Sequence, residues 1–248
     1  MPAYASAQTA RLARRNLGLP PSPAEQMNHR LPDLPYEVVA LEPVIDTRTM
    51  QLHHSRHHAA YVAALNEAVS EYPQLAERSA TWLLANARNL PDAARPTILA
   101  AAGGHVNHSL FWKTMTPTGH HEPFGRLADA IARDFGSFEA FKTDFEAVGV
   151  KLVGSGWVWL ARTQRNGALR IVTTRDHGNP MSEQQFPILL NDVWEHAYYL
   201  KHNNRRVDYL REWWTVADWD EAARRFARSD HHDPAEWAEG DPLLLDAA

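Results

Sequence analysis

Residues 192–199 read Asp192-Val193-Trp194-Glu195-His196-Ala197-Tyr198-Tyr199 and follow a short apolar run. Asp192 and His196 are four residues apart, so a helix that starts at the end of this run would direct a carboxylate and an imidazole to one point. The alternative is that Asp192 only caps a helix, since aspartate is a favoured cap residue. The segment therefore predicts either a pair of metal ligands or an ordinary helix start.

A first histidine-rich segment lies upstream and reads Leu52-His53-His54-Ser55-Arg56-His57-His58-Ala59-Ala60-Tyr61. On an α-helix, residues four apart share a face, which places His53, His57 and Tyr61 together. His54 and His58 then share a neighbouring face. Histidine is a mediocre helix former, so four histidines in so short a stretch suggest metal or catalytic use as well as a solvated polar face.

A second histidine-rich segment reads Gly103-Gly104-His105-Val106-Asn107-His108-Ser109-Leu110-Phe111-Trp112. Two glycines weaken a helix, which suggests that another part of the chain approaches closely here. His105 and His108 are three residues apart. Spacing alone does not choose between these two as a ligand, just as it does not choose between His53 and His57.

Three separated segments thus offer nitrogen or oxygen ligands. The 248-residue chain has 14 histidines and no cysteine, which excludes disulfides, thiolate zinc sites and iron–sulfur clusters. A buried carboxylate beside neutral imidazoles is costly unless a cation compensates it. Such a ligand set suits iron, manganese or zinc.

Hydrophobic periodicity predicts the helices. Apolar residues recur at helical spacing over about 46–72 and 96–112, and two long helices with a short connection favour an antiparallel hairpin. The stretch 116–123 is a loop by composition and a domain boundary. Two further helices are predicted beyond it, at 125–135 and 137–148, and Ser137 is the expected cap of the second.

Period-two alternation follows, and it predicts three strands at 156–162, 168–174 and 186–192. Asn166-Gly167 between the first two is a strong hairpin signal. We therefore predict an α+β fold, in which an N-terminal antiparallel helical hairpin is followed by an α/β domain with a three-stranded antiparallel sheet. The expected division is a flexible N-terminal extension (1–30), the hairpin domain (31–117), the C-terminal domain (118–228) and an acidic tail (229–248).

Charge and hydropathy limit the partners. The net charge is −5, so a nucleic-acid partner has no electrostatic support, and no apolar run reaches the length of a membrane-spanning helix. We therefore expect neither a nucleic-acid nor a membrane partner. We also expect a cytoplasmic protein, although the arginine-rich, acid-free first 24 residues leave organelle targeting as an alternative.

The three segments quoted above, together with Gly154-Ser155-Gly156-Trp157-Val158-Trp159-Leu160, resemble the manganese/iron superoxide dismutases. The resemblance covers about residues 31–228, with the segments in order. It implies dismutation of superoxide to dioxygen and hydrogen peroxide at one manganese or iron ion per subunit, which cycles between +3 and +2. By position, the resemblance implies four metal ligands, His53, His108, Asp192 and His196, and one solvent molecule as a fifth.

The resemblance also implies a set of residues around the metal: Tyr61, Trp157 and Trp194, with His57 nearby. Trp112 and Trp159 are better interpreted as core packing. The family commonly has a glutamine that contacts the metal-bound solvent. The manganese-type position for it holds His177, and the position used by many iron enzymes holds Gly104. We therefore expect manganese, or tolerance of either metal, and the alternative for His177 is a loop side chain that faces solvent.

The family further implies a homodimer, with a tetramer of two dimers as an alternative. Glu195 would reach His196 of the partner subunit, and Tyr199 would meet His57 of the partner subunit. Because superoxide is an anion and the chain is net negative, a local positive charge must attract it, and Arg206 matches an arginine near the entrance in the family.

Two other classes of function use similar residues. A non-haem iron oxygenase or metallohydrolase needs a substrate-sized pocket and a second open coordination position, which the aromatic residues of the site argue against. A metal-free structural module would not need all four ligand positions.

Overall fold

The computed structural model describes residues 29–76 and 78–230, and its first half is helical. The elements of this half are α1 (Thr47–Leu52), a π-helical turn (His53–His58), α2 (Ala59–Ser70), α3 (Pro73–Ala76), α4 (Ala80–Ala85), a 3₁₀ turn (Ala87–Asn89) and α5 (Arg95–Lys113). Helices α2 and α5 pack against each other and form the hairpin, which confirms the predicted hairpin domain.

The first predicted helix departs from α-helical geometry where the histidines cluster. The segment His53–His58 is a π-helical turn, in which hydrogen bonds join residues five apart. As a result His53 and His58 are both buried, whereas His57 is half-buried. The expected pairings of His53 with His57 and of His54 with His58 are seen in the ring contacts, at 6.2 Å and 6.1 Å between centroids. The sequence did not predict that His58 is buried as well.

The second half contains helices and a sheet. Its elements are α6 (Gly125–Phe135), α7 (Phe138–Lys151), β1 (Gly156–Thr163), β2 (Leu169–Arg175), a 3₁₀ turn (Pro180–Glu183), β3 (Gln185–Asp192), a 3₁₀ turn (Glu195–Ala197), α8 (Tyr199–His202), α9 (Arg206–Trp213) and α10 (Trp219–Arg228). The predicted helices and strands of this half are confirmed to within three residues.

The sheet has the strand order β2-β1-β3, and both pairs are antiparallel. The hairpin turn between β1 and β2 contains Asn166, whose side-chain oxygen accepts hydrogen bonds from the Thr163 hydroxyl and the Ala168 N–H. In the central strand β1, Trp157 lies opposite Asp192 of β3. The register of the sheet therefore places a tryptophan beside the carboxylate at the end of β3.

The described residues include short parts of the predicted extension and of the predicted acidic tail. His29 is buried, and its backbone N–H and carbonyl both bond the Asn66 side chain, so the folded part includes the last residues of the predicted extension. At the other end, Asp230 pairs with Arg126 and Arg162 at 2.5 Å each. The predicted extension at 1–28 and the tail from 231 lie outside the described residues. In the described part, no helix combines the length and apolarity needed to cross a membrane.

We predict that the cap of α7 contributes measurably to stability. The Ser137 hydroxyl accepts a hydrogen bond from the Ala140 N–H at 3.0 Å, as the sequence predicted. Ser137→Ala should lower the free energy of unfolding by about 1 kcal/mol, because an N–H at the helix start loses its partner. Ser137→Asn, which keeps an acceptor, should stay close to the wild type in urea titrations. Equal losses in the two variants would contradict the capping role.

Candidate metal centre

Four side chains from distant parts of the sequence converge on one point. Each of them offers one ligand atom, and these atoms all lie within 4.8 Å of one another: His53, His108, Asp192 and His196. The first comes from the π-helical turn, the second from α5, and the last two from the end of β3 and the 3₁₀ turn after it. The structure thus brings together the four residues that the resemblance implies.

Asp192 uses its two oxygens differently. Oδ1 accepts a hydrogen bond from the Trp194 N–H at 2.8 Å, while Oδ2 lies 3.0 Å from His53 Nε2 and 3.2 Å from His196 Nε2. The carboxylate therefore both organises the turn and faces the imidazoles. The expected α-helix from Asp192 to His196 is wrong, because Asp192 ends a strand and His196 lies in the short 3₁₀ turn that follows it.

His108 is oriented by its own helix. Its Nδ1 donates to the Gly104 carbonyl at 2.5 Å, which leaves Nε2 directed towards Asp192 Oδ2 at 3.9 Å. This Nε2 is buried and has no hydrogen-bond partner among the described residues. The other candidate on α5, His105, contacts His58 instead, with 2.8 Å between His105 Nδ1 and His58 Nε2. Geometry therefore favours His108 as the ligand.

The protonation states suit a metal cation. Burial, followed by repulsion from His196, lowers the pKa of His53 to about 4, and burial holds the pKa of His108 well below its usual value. Burial alone would raise the pKa of Asp192, but the contacts with His196 and His53 outweigh it and leave the pKa below the usual range. At neutral pH these groups are thus imidazoles and a carboxylate anion, the forms that bind metals.

Aromatic side chains surround the four ligands. The Tyr61 ring lies 4.1 Å from the His177 ring between centroids, and the Trp194 ring stacks on His177 at 4.5 Å. The Trp157 ring meets the His108 ring edge-on at 5.1 Å. His177 is buried rather than solvent-facing, so the alternative of an exposed loop histidine is excluded.

His57 and Trp112 also touch the ligands. The half-buried His57 ring lies nearly parallel to His196 at 4.3 Å. Trp112, which we interpreted as core, is 4.8 Å from the His53 ring, and its Nε1 donates to His58 Nδ1 at 3.0 Å. The sequence placed Trp112 on the right helix, but only the three-dimensional structure shows that it supports a ligand.

The other predicted residues, Glu195, Tyr199 and Arg206, are not among the four clustered ligands. Glu195 is exposed, and Tyr199 is 45% exposed. Arg206 donates to the carbonyls of Gly149, Leu152 and Gly154 and to the Tyr198 hydroxyl, so it holds the segment before β1 in place.

The donor set and the fold define a class: a mononuclear metalloprotein with three imidazoles and one carboxylate between a helical hairpin and an α/β domain. The sequence profile for the α-hairpin domain of iron/manganese superoxide dismutases matches residues 28–116, and the profile for their C-terminal domain matches residues 123–225. The chain therefore belongs to the iron/manganese superoxide dismutase family.

Individual relatives agree with this assignment. The chain is 48% identical over 197 residues to a protein of Leptolyngbya boryana named manganese superoxide dismutase 3, an alignment that covers 79% of this chain and 82% of the relative. It is 47% identical over 200 residues to the manganese superoxide dismutase of Listeria innocua, covering 81% of this chain and 98% of the relative. The corresponding protein of Listeria ivanovii is 46% identical over 200 residues.

We predict that the two histidines of α5 differ in their effect on metal content. His108→Ala should abolish stoichiometric manganese or iron binding, because it removes a buried nitrogen donor. His105→Ala should keep the metal and lose only folding stability. Elemental analysis of both purified variants measures this difference. If the His105 variant lost its metal and the His108 variant kept it, the ligand assignment would be wrong.

Proposed function

We infer that this chain converts superoxide to dioxygen and hydrogen peroxide at a single manganese or iron ion that His53, His108, Asp192 and His196 would hold. One observation carries this assignment: a fully buried carboxylate oxygen faces the nitrogen atoms of three histidines. The unpartnered Nε2 of His108 supports it, since a buried polar atom without a hydrogen bond requires another partner.

The bound metal would supply one-electron redox chemistry. The chain's own residues determine the charge, the exposure to water and the proton supply around it. Asp192 provides one negative charge, and the neutral imidazoles of His53 and His108 add none, which favours binding of a small, highly charged cation. Three of the four ligands, His53, His108 and Asp192, are buried, and the His196 side chain is 14% exposed. Burial, followed by the charges of Asp192 and Asp176, raises the pKa of Tyr61, so its hydroxyl keeps its proton at neutral pH beside the centre. Reduction of superoxide consumes protons, and the Tyr61 hydroxyl holds one there.

The activity is tested on metal-free protein reloaded with manganese, iron or zinc. Dismutation should appear with manganese or iron and not with zinc, because zinc has no redox chemistry. A metallohydrolase would instead work with zinc. If the manganese- and iron-loaded proteins, each with one ion per chain, were both inactive towards superoxide, the proposed function would be wrong.

We also propose that the site accepts manganese, alone or together with iron, rather than iron alone. A side chain at Gly104 has no room, because its Cβ would lie 2.4 Å from Tyr61 Cγ. The residue that adjusts the metal from outside the ligand set would therefore be His177, which is buried beside Tyr61 and Trp194.

Replacing His177 with glutamine tests this role. His177→Gln should raise the ratio of manganese-supported to iron-supported activity by about 10-fold, the size of effect typical of residues that contact metal ligands or bound solvent. His202→Gln is a matched control, because His202 is also buried in this half but lies outside the cluster. Activity ratios that are equal in the wild type and the His177 variant would remove His177 from metal selection.

We further propose that the active form is a homodimer. Glu195 and Tyr199 are exposed, and Leu200, the residue after Tyr199, is a 56%-exposed apolar side chain. An exposed group of this kind next to a ligand suits an interface in which Glu195 would reach His196 of the partner subunit. Each contact of this kind would occur twice across a two-fold axis.

Removal of the Glu195 carboxylate should weaken the dimer and the metal site together. We expect Glu195→Ala to shift sedimentation towards the monomer and to lower the metal content per chain, because His196 would lose its partner. Glu183→Ala, at an exposed glutamate in the turn before β3, should change neither. Sedimentation and metal content that remain at wild-type values in Glu195→Ala would refute the interface.

A further inference from the structure

The loop that carries His177 rests on one face of α5. Gly103 and Asn107, four residues apart on this helix, both contact the loop. A Cβ at Gly103 would lie 2.0 Å from the His177 carbonyl oxygen, so the loop is closer than any side chain allows. Ligand His108 follows Asn107 directly. The main chain at His177 thus packs directly against α5, the helix that supplies the ligand His108.

The Asn107 side chain is fully buried and uses both ends of its amide. Its Nδ2 donates to the Gly178 carbonyl at 3.2 Å and to the His177 carbonyl at 3.5 Å. Its Oδ1 accepts from Asn179 Nδ2 at 2.7 Å, and Asn179 Oδ1 accepts from the Met181 N–H at 2.8 Å. The three loop residues 177–179 are therefore all tied to this one side chain.

The His177 imidazole is held from another side. Trp157 Nε1 donates to His177 Nδ1 at 3.3 Å. Because an indole N–H can only donate, Nδ1 must accept, and the neutral ring carries its proton on Nε2. That Nε2 is buried and has no hydrogen-bond partner within the described part of the chain. A shift of the loop would break the bond to Trp157 and redirect this N–H.

We propose that Asn107 is a positioning residue for His177: it fixes the loop so that Trp157 selects the tautomer of His177 and the Nε2–H faces the metal centre. The inference rests on the role of His177 proposed above. Asn107 acts only through the loop, since its amide is fully used by loop atoms. The same chemistry explains why asparagine stands here, because both a donor and an acceptor are needed at one place.

Asn66 offers a matched control for Asn107. It also clamps a main-chain segment with both ends of its amide, donating to the His29 carbonyl at 2.9 Å and accepting from the His29 N–H at 3.1 Å. Asn107→Ala and Asn66→Ala should both lower stability. Only Asn107→Ala should shift the midpoint potential and the pH profile of the manganese-loaded enzyme and lower its activity by about 10-fold.

A second readout does not depend on activity. In zinc-loaded protein, NMR should show the Trp157 indole proton exchanging faster in Asn107→Ala than in the wild type or in Asn66→Ala. If Asn107→Ala does not fold, Asn107→Ser, which keeps a hydroxyl donor, is measured in the same way. Unchanged exchange and an unchanged potential in the folded variant would overturn the proposal.

A double-mutant cycle distinguishes the proposed role of His177 from the positioning role of Asn107. In a His177→Ala background, Asn107→Ala should cause little further change in potential, because the residue through which it acts is gone. If His177→Ala itself leaves the potential and activity at wild-type values, the proposed role of His177 fails. If His177→Ala changes them and Asn107→Ala behaves like Asn66→Ala, only the positioning role of Asn107 fails.

Discussion

A fully buried carboxylate among imidazoles is the interaction on which the rest of this structure depends. An isolated anion in a protein interior costs several kcal/mol, and neutral imidazoles offset only part of that cost. The imidazoles of His53 and His108 are neutral for the same reason that the carboxylate is costly, since burial lowers the pKa of His53 to about 4 and holds the pKa of His108 well below its usual value. Asp192 therefore requires a cation, and the turn after β3 is arranged so that one oxygen remains directed at the cluster while the other holds the Trp194 N–H.

Helix α5 is the frame that makes this arrangement possible. Two adjacent glycines in a helix interior cost roughly 1 kcal/mol each relative to alanine. Close contacts that a larger residue would prevent offset this cost. Gly104 lets Tyr61 pack against the helix, and Gly103 lets the His177 loop do so. One turn further along the helix, Asn107 binds the loop and His108 supplies a ligand. A single helix thus sets the distance between the metal ligands and the side chains that surround them.

The sequence predicted the order of helices and strands well, because turn and loop residues such as Asn166-Gly167 separate the apolar runs. It did not predict the π-helical turn at His53–His58. Prediction of a helix from sequence relies on the spacing of apolar residues, and this segment has none that would show which face of the helix is buried. Spacing could not choose between His105 and His108 either. The contacts in the folded structure distinguish the two histidines. His105 contacts His58, whereas His108 bonds a carbonyl of its own helix, which leaves its Nε2 available for a metal ion. The resemblance to the family identified His108 as the ligand, which the local sequence pattern could not do.

Two neighbouring arginines differ in whether a carboxylate cancels their charge. Arg205 is exposed and paired with Asp208 at 2.9 Å, so its charge is largely cancelled. Arg206 instead donates to three carbonyls and to the Tyr198 hydroxyl, and it has no carboxylate partner among the described residues. Neutral acceptors fix a guanidinium without cancelling its charge. A fixed, unpaired cation acts on an approaching anion at distances up to about the Debye length, roughly 8 Å at physiological salt, which a paired one does not. Its uncancelled charge is the observation that supports the predicted role of Arg206 in attracting superoxide against the net charge of −5, and that role stays a prediction.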